Sequence, residues 1–169
     1  MKTALIFLLF AASIEAHAGT RNTGDVELTL MGFSHHFEKE PVEGKKWNQT
    51  HPGIGIRYFV KPRKGFETFL DANYIGKNST GGRTKEVGVG IQRQFASLSE
   101  VQFLFGIGAG LWDYYNSWEN KRYLSPAVYP TLGIRYGKLT GGTLIFIPKI
   151  TVGETETYPV VFFGVNIKF

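Results

Sequence analysis

The sequence predicts an all-β protein: eight antiparallel strands closed into a transmembrane barrel of the outer membrane, behind a cleaved leader. Three observations predict it. Beyond its first residues the chain has no apolar run of the roughly 18 to 20 residues that a membrane-spanning helix needs. It does have eight segments of strand-like alternation, with large apolar residues on one face and glycine or amide on the other. Its last residues, VVFFGVNIKF, stay hydrophobic to the final position instead of fraying into polar groups.

The leader comes first. MKTALIFLLFAASIEAHAGT carries Lys2, an apolar run from Ala4 to Ala12, and Ala16, His17 and Ala18 as a small-residue cleavage site. That is the pattern of a secretory signal peptide, residues 1–18. The mature chain, 19–169, has 169 minus 18, or 151, residues, which suits one domain. The formal net charge is +5, and loss of Lys2 and Glu15 with the leader leaves it there. An exported chain with this charge has no nucleic acid to meet, so phospholipid and lipopolysaccharide are the expected partners. Cysteine is absent, and closing a sheet on itself replaces the disulfides an exported domain often uses.

The strands are expected at 25–37, 53–60, 66–75, 85–95, 101–112, 124–136, 139–147 and 158–169. In the fourth, Val87, Val89, Ile91 and Phe95 oppose Glu86, Gly88, Gly90, Gln92 and Gln94. In the fifth, Val101, Phe103, Phe105, Ile107, Ala109 and Leu111 oppose Gln102, Gly106, Gly108 and Gly110. Apolar residues outward with glycine and amide inward reverse the core of a soluble barrel such as a lipocalin, so the apolar face belongs in lipid. Inward apolar residues are expected at Phe33, Phe59, Phe69 and Leu104, and inward polar ones at Glu27, Arg57, Asp71 and Asn73.

With both chain ends on the periplasmic side, the turns there are KPRKG, ASLSE and YGK. The opposite connections are longer: EKEPVEGKKWNQT, GKNSTGGRT, DYYNSWENKRY and the stretch around TVGETET. Trp47, Trp112, Tyr114, Tyr115, Trp118 and Tyr123 are then placed near the outer interface, where amphipathic rings settle. The last strand resembles the outer-membrane assembly signal, with Gly164, Ile167 and terminal Phe169 at its key positions. The assembly machinery is accordingly an expected partner through Phe169, and the barrel is expected to be a monomer.

Three local features could carry chemistry. FSHHF closes the first strand, and neighbours on a strand point to opposite faces. Simple parity from Val26, Leu28 and Leu30 outward puts Phe33 and His35 inward; a bulge at Gly32 would choose His36 instead. Either histidine could be a general base, or a polar rim residue. GKNSTGG follows the third strand and places Asn78 and Ser79 on the same side, where amide, hydroxyl and imidazole could support acyl transfer. The same residues are also what plain turns are made of. Pro126, Pro130 and Pro148 fall on the outer halves of strands six and seven, with Pro52 beside strand one. Proline cannot donate to a ladder, so these seams are either ordinary strand ends or a lateral opening that admits a lipid chain. No metal site is expected, since His35, His36, Glu38 and Glu40 lack ligand spacing. No cofactor motif is present.

The order of these features resembles the lipid A palmitoyltransferases of the Gram-negative outer membrane, the PagP family. The resemblance runs from a histidine at the end of strand one through WNQTHPGIG and KNS to RYLSPAVYPTLGIRYG and LIFIPK. It implies an enzyme moving an acyl chain from phospholipid to lipid A, with catalytic residues His35 or His36 and Ser79. Asn78 stands where the family has a carboxylate. The family's barrel also follows an amphipathic helix, whereas only GTRNTG separates leader from strand one here. The alternative is a non-enzymatic surface or binding barrel of the same architecture. An apolar interior slot below the histidine would favour acyl binding, and an interior plugged by polar pairs would favour a scaffold.

Overall fold

The computed structural model describes residues 21–37, 44–63, 65–137, 139–147, 151–152, 155–156 and 160–169. The expected leader and Pro148 lie outside them. Eight long strands are β1 (Val26–His36), β2 (Thr50–Arg63), β3 (Phe66–Ile75), β4 (Thr84–Leu98), β5 (Val101–Asn116), β6 (Lys121–Tyr136), β7 (Leu139–Ile147) and β10 (Val160–Lys168). They form a closed antiparallel barrel in the order β1-β10-β7-β6-β5-β4-β3-β2. A second, two-stranded antiparallel sheet pairs β8 (Thr151–Val152) with β9 (Thr155–Glu156).

Closure runs to the final residue: the Phe169 N–H donates to the Val26 carbonyl at 3.1 Å. The hydrophobic ending is therefore half of the seam between β10 and β1. At this inner end the turns are short, and each bends through one left-handed residue: Gly65 (φ 79°), Ser99 (φ 54°) and Gly137 (φ 57°). At the outer end β5 and β6 run further than expected, paired up to Asn116 with Lys121. Most of the expected loop DYYNSWENKRY is thus ladder, because Asp113 and Arg122 bind each other and Tyr114 pairs with Tyr123.

The polarity is inside out. Ile54, Ile56, Val87, Val89, Phe105, Ile107, Leu111, Val128, Leu132 and Ile134 all face outward and exposed. An apolar belt of this kind would be ruinous in water and is what lipid requires. Inside, Glu27, Arg57, Glu67, Asp71, Glu86 and Arg135 are each 7% exposed or less. Phe59, Phe69 and Leu104 point in as expected. Phe33 does not: it is 63% exposed, on the lipid side.

Glycine on the inner face makes room for these side chains. A Cβ at Gly90 would enter the Phe69 ring, and one at Gly108 would enter the Tyr129 ring. The inner half of the barrel is filled by ion pairs. Arg135 grips Glu67 with two hydrogen bonds of 2.8 Å, Gln92 adds a third at 2.7 Å, and the Arg21 backbone N–H a fourth at 2.6 Å. The Arg21 guanidinium binds Glu27 at 2.5 Å. Above this layer Arg57 pairs with Asp71 and lies 3.9 Å from the Phe69 ring centre, while Tyr129 and Asn73 both donate to Glu86.

Candidate functional site

The site begins at an irregularity in β1. Register shifts against both neighbours between Met31 and Phe33, which places a bulge at Gly32. One extra residue inverts the parity of everything after it. Ser34 and His36 consequently turn inward and are buried, while His35 turns outward beside Phe37. Of the two histidines in FSHHF, the inner one is His36, and the parity that put His35 inward fails at this bulge.

Above the ion-pair layers the interior becomes aromatic. Tyr129, Val160 and Phe162 form a buried cluster, with Trp112 and Ala127 packed on it. Trp112 lies 6.1 Å from both Tyr129 and Phe162, ring to ring. His36 stacks face to face on Trp47 at 4.2 Å, and Trp47 meets Trp118 at 4.9 Å. These tryptophans, with Tyr114 bonded to Thr80, therefore roof and line the barrel mouth.

His51 joins this aromatic cluster from β2. It is 1% exposed, its ring 5.3 Å from Phe162. Its Nδ1 lies 3.0 Å from the Lys77 carbonyl and its Nε2 lies 2.5 Å from Ser34 Oγ. A carbonyl can only accept, so Nδ1 carries the proton and Nε2 offers its lone pair to the Ser34 hydroxyl. Among the described residues, both nitrogens of His36 and the Trp112 Nε1 have no hydrogen-bond partner although buried.

Asn78 is spent on its own loop. Its carbonyl oxygen accepts from Thr80 N, Thr80 Oγ1 and Gly82 N, and its amide donates to Arg83 O, Thr84 Oγ1 and Tyr115 O. Ser79 is buried next to it, with its carbonyl accepting from Asn48 N–H. Neither buried histidine bonds Ser79, because His51 is taken by Ser34 and Lys77 and His36 bonds nothing. The loop still reaches the chamber through the Lys77 carbonyl. Pro52, Pro126 and Pro130 all face outward. The β6–β7 register runs from Tyr136 with Leu139 to Thr131 with Ile145 and goes no further among the described residues, stopping where Pro130 begins.

Ser34, His51 and the Lys77 carbonyl are the grouping that sequence reasoning missed. A bulge at Gly32 would have flagged Ser34 together with His36, but no spacing marks His51 as its partner. Among the described residues no group of three or more histidine, cysteine or acidic side chains could hold a metal ion.

No protein-family model matches the sequence, and no curated protein does. Among solved structures, the chain is similar to the outer membrane protein Ail of Yersinia pestis, determined in a phospholipid bilayer nanodisc. Identity is 13%, over 86% of this chain and 99% of that one, with a TM-score of 0.44. It is also similar to the outer membrane protein AlkL, determined in lipid bilayers, at 17% identity, over 93% and 95% of the two chains, with a TM-score of 0.40. On its own topology and inverted polarity, the chain is an eight-stranded antiparallel transmembrane β-barrel of the outer-membrane type.

Proposed function

We propose that this barrel takes up a lipid acyl group in the aromatic chamber of its outer half, over an inner half permanently closed by ion pairs. The observation that carries the reading is the aromatic cluster of the outer half, with unpartnered polar atoms buried beside it. Aromatic walls hold a few buried polar atoms without partners, which is how a site for an amphipathic ligand is built. In a lipid bilayer the abundant amphipath is phospholipid, and the outward Pro126 and Pro130 on β6 support a route from the side. Phospholipid and lipopolysaccharide are the partners this reading names, with the assembly machinery recognising Phe169 and the barrel acting as a monomer.

The chain has three tryptophans, so Trp47→Phe with Trp118→Phe leaves Trp112 as the sole indole. In vesicles of phospholipid brominated along its acyl chains, Trp112 fluorescence is expected to be quenched, because bromine quenches only near contact. Full emission from a folded barrel would sink the reading. Transfer of the acyl group to lipid A is the finer form of this function, supported by the outward prolines on β6. Mass spectrometry of lipid A from a host without its own palmitoyltransferase, with and without the gene, checks it. One added acyl chain is the expected result; unchanged lipid A beside a folded barrel would leave a non-enzymatic lipid-binding protein.

A further inference from the structure

We propose that Ser34 is a nucleophile and His51 its general base, forming an acyl-ester-cleaving dyad inside the barrel. The inference rests on the acyl-binding reading above and adds chemistry to it. A serine hydroxyl is a weak nucleophile unless an adjacent base takes its proton in the transition state. Here the base stands 2.5 Å away with its lone pair toward the hydroxyl, and the Lys77 carbonyl, 3.0 Å from Nδ1, fixes that tautomer. The remaining requirement is a substrate that belongs beside them. Ser34 sits directly across the ladder from Phe162, whose ring also touches His51 and Trp112, so the hydroxyl lies beside the apolar cluster where an acyl group would be held.

The step balances with an acyl ester alone. Ser34 Oγ bonds to the ester carbonyl carbon as its proton passes to His51 Nε2. The oxyanion forms in a chamber where Trp112 Nε1–H is a buried donor with no other partner. Collapse breaks the carbonyl carbon to alkoxy oxygen bond, and the leaving alcohol, a lysolipid when the ester is a phospholipid, departs with the proton from His51. Water or a second alcohol, deprotonated by His51, then frees the acyl group from Ser34. A carbonyl orients the imidazole but adds no negative charge to steady the imidazolium, so this dyad is expected to turn over more slowly than one backed by a carboxylate.

The test uses the folded full barrel in detergent micelles and a fluorophosphonate with a long alkyl chain, with intact mass and peptide mapping as readouts. One adduct on Ser34 is expected, with fluoride displaced by the serine oxygen. His51→Gln is expected to slow its formation about 100-fold or more, the usual worth of a general base. Heat-modifiable gel mobility verifies folding of the variant, and the mapping on the unmodified chain holds even where the variant does not fold. An adduct on Ser79, or none on a folded barrel, overturns the dyad. When Trp112 is still quenched by brominated lipid, that failure belongs to the dyad alone; when quenching is also absent, the acyl-binding reading falls with it.

Discussion

The two halves of the barrel interior handle buried polarity in opposite ways. In the inner half, the Glu67 carboxylate receives four hydrogen bonds, two of them from Arg135. In the outer half, both nitrogens of His36 and the Trp112 Nε1 receive and give none. A buried polar group without a partner costs about 1 to 3 kcal/mol, a cost that stability alone gives no reason to keep. Unmet atoms occur among the ion pairs too, at Glu27 Oε2, Arg57 Nε and Asp71 Oδ1, so the contrast lies in what surrounds them: opposite charge in the inner half, aromatic rings in the outer one.

The largest effect is expected from breaking the ion-paired half. Arg135→Ala strands Glu67 in a site where its remaining partners are neutral amide donors, and removing one member of a buried ion pair typically costs about 3 to 5 kcal/mol. The urea midpoint of the folded band on a cold gel should fall accordingly, and it should recover in part with Glu67→Gln added. A barrel that tolerates Arg135→Ala without change would mean that the inner plug is not what holds it together.

How much of this was legible in the sequence follows from which physical rule set each feature. Sidedness in β4 and β5 obeys an unbroken period of two, so Val87, Val89 and Ile91 against Gly90 and Gln92 could be assigned by alternation alone. Phe33 and His35 could not, because one extra residue at Gly32 inverts parity and a glycine, having no side chain, reads the same with or without a bulge. Trp112 near a strand end reads equally as an interfacial anchor or as a chamber wall, and only the register decides. The Ser34 and His51 pair joins two strands across that same bulge, and its third member is a backbone carbonyl, which no side-chain pattern records.

The aromatic half should respond in the other direction, and by less. His36→Phe keeps the flat ring that stacks on Trp47 and removes two nitrogens that bond nothing. The barrel should be about as stable as before or gain about 1 kcal/mol, the lower end of what an unmet buried group costs. The same urea titration reads it. A loss as large as that of Arg135→Ala would show that the outer half is a structural core like the inner one, and the contrast between them would dissolve.

The smallest effect lies at the inner rim, just before β1, where the contrast can be sharpened with pH. Burial opposes ionisation of Asp25, yet Lys168 at 2.6 Å and the Asn22 N–H together hold its carboxyl below the ordinary carboxylate value of 3.8. A carboxyl depressed in the folded state contributes stability that is fully present above its unfolded value and is lost as pH falls through the folded one. Near neutral pH, Asp25→Asn should therefore cost up to about 1 kcal/mol, as a partly exposed pair does. Below the folded value the difference should vanish, since the protonated acid and the amide are then alike in charge. The pair closes the seam where β10 meets the start of β1, so the loss should appear as earlier opening in denaturant at neutral pH only. Equal stability of the two proteins across the whole range would mean that the Phe169 and Val26 ladder bond and the packing around it close the seam without help from charge.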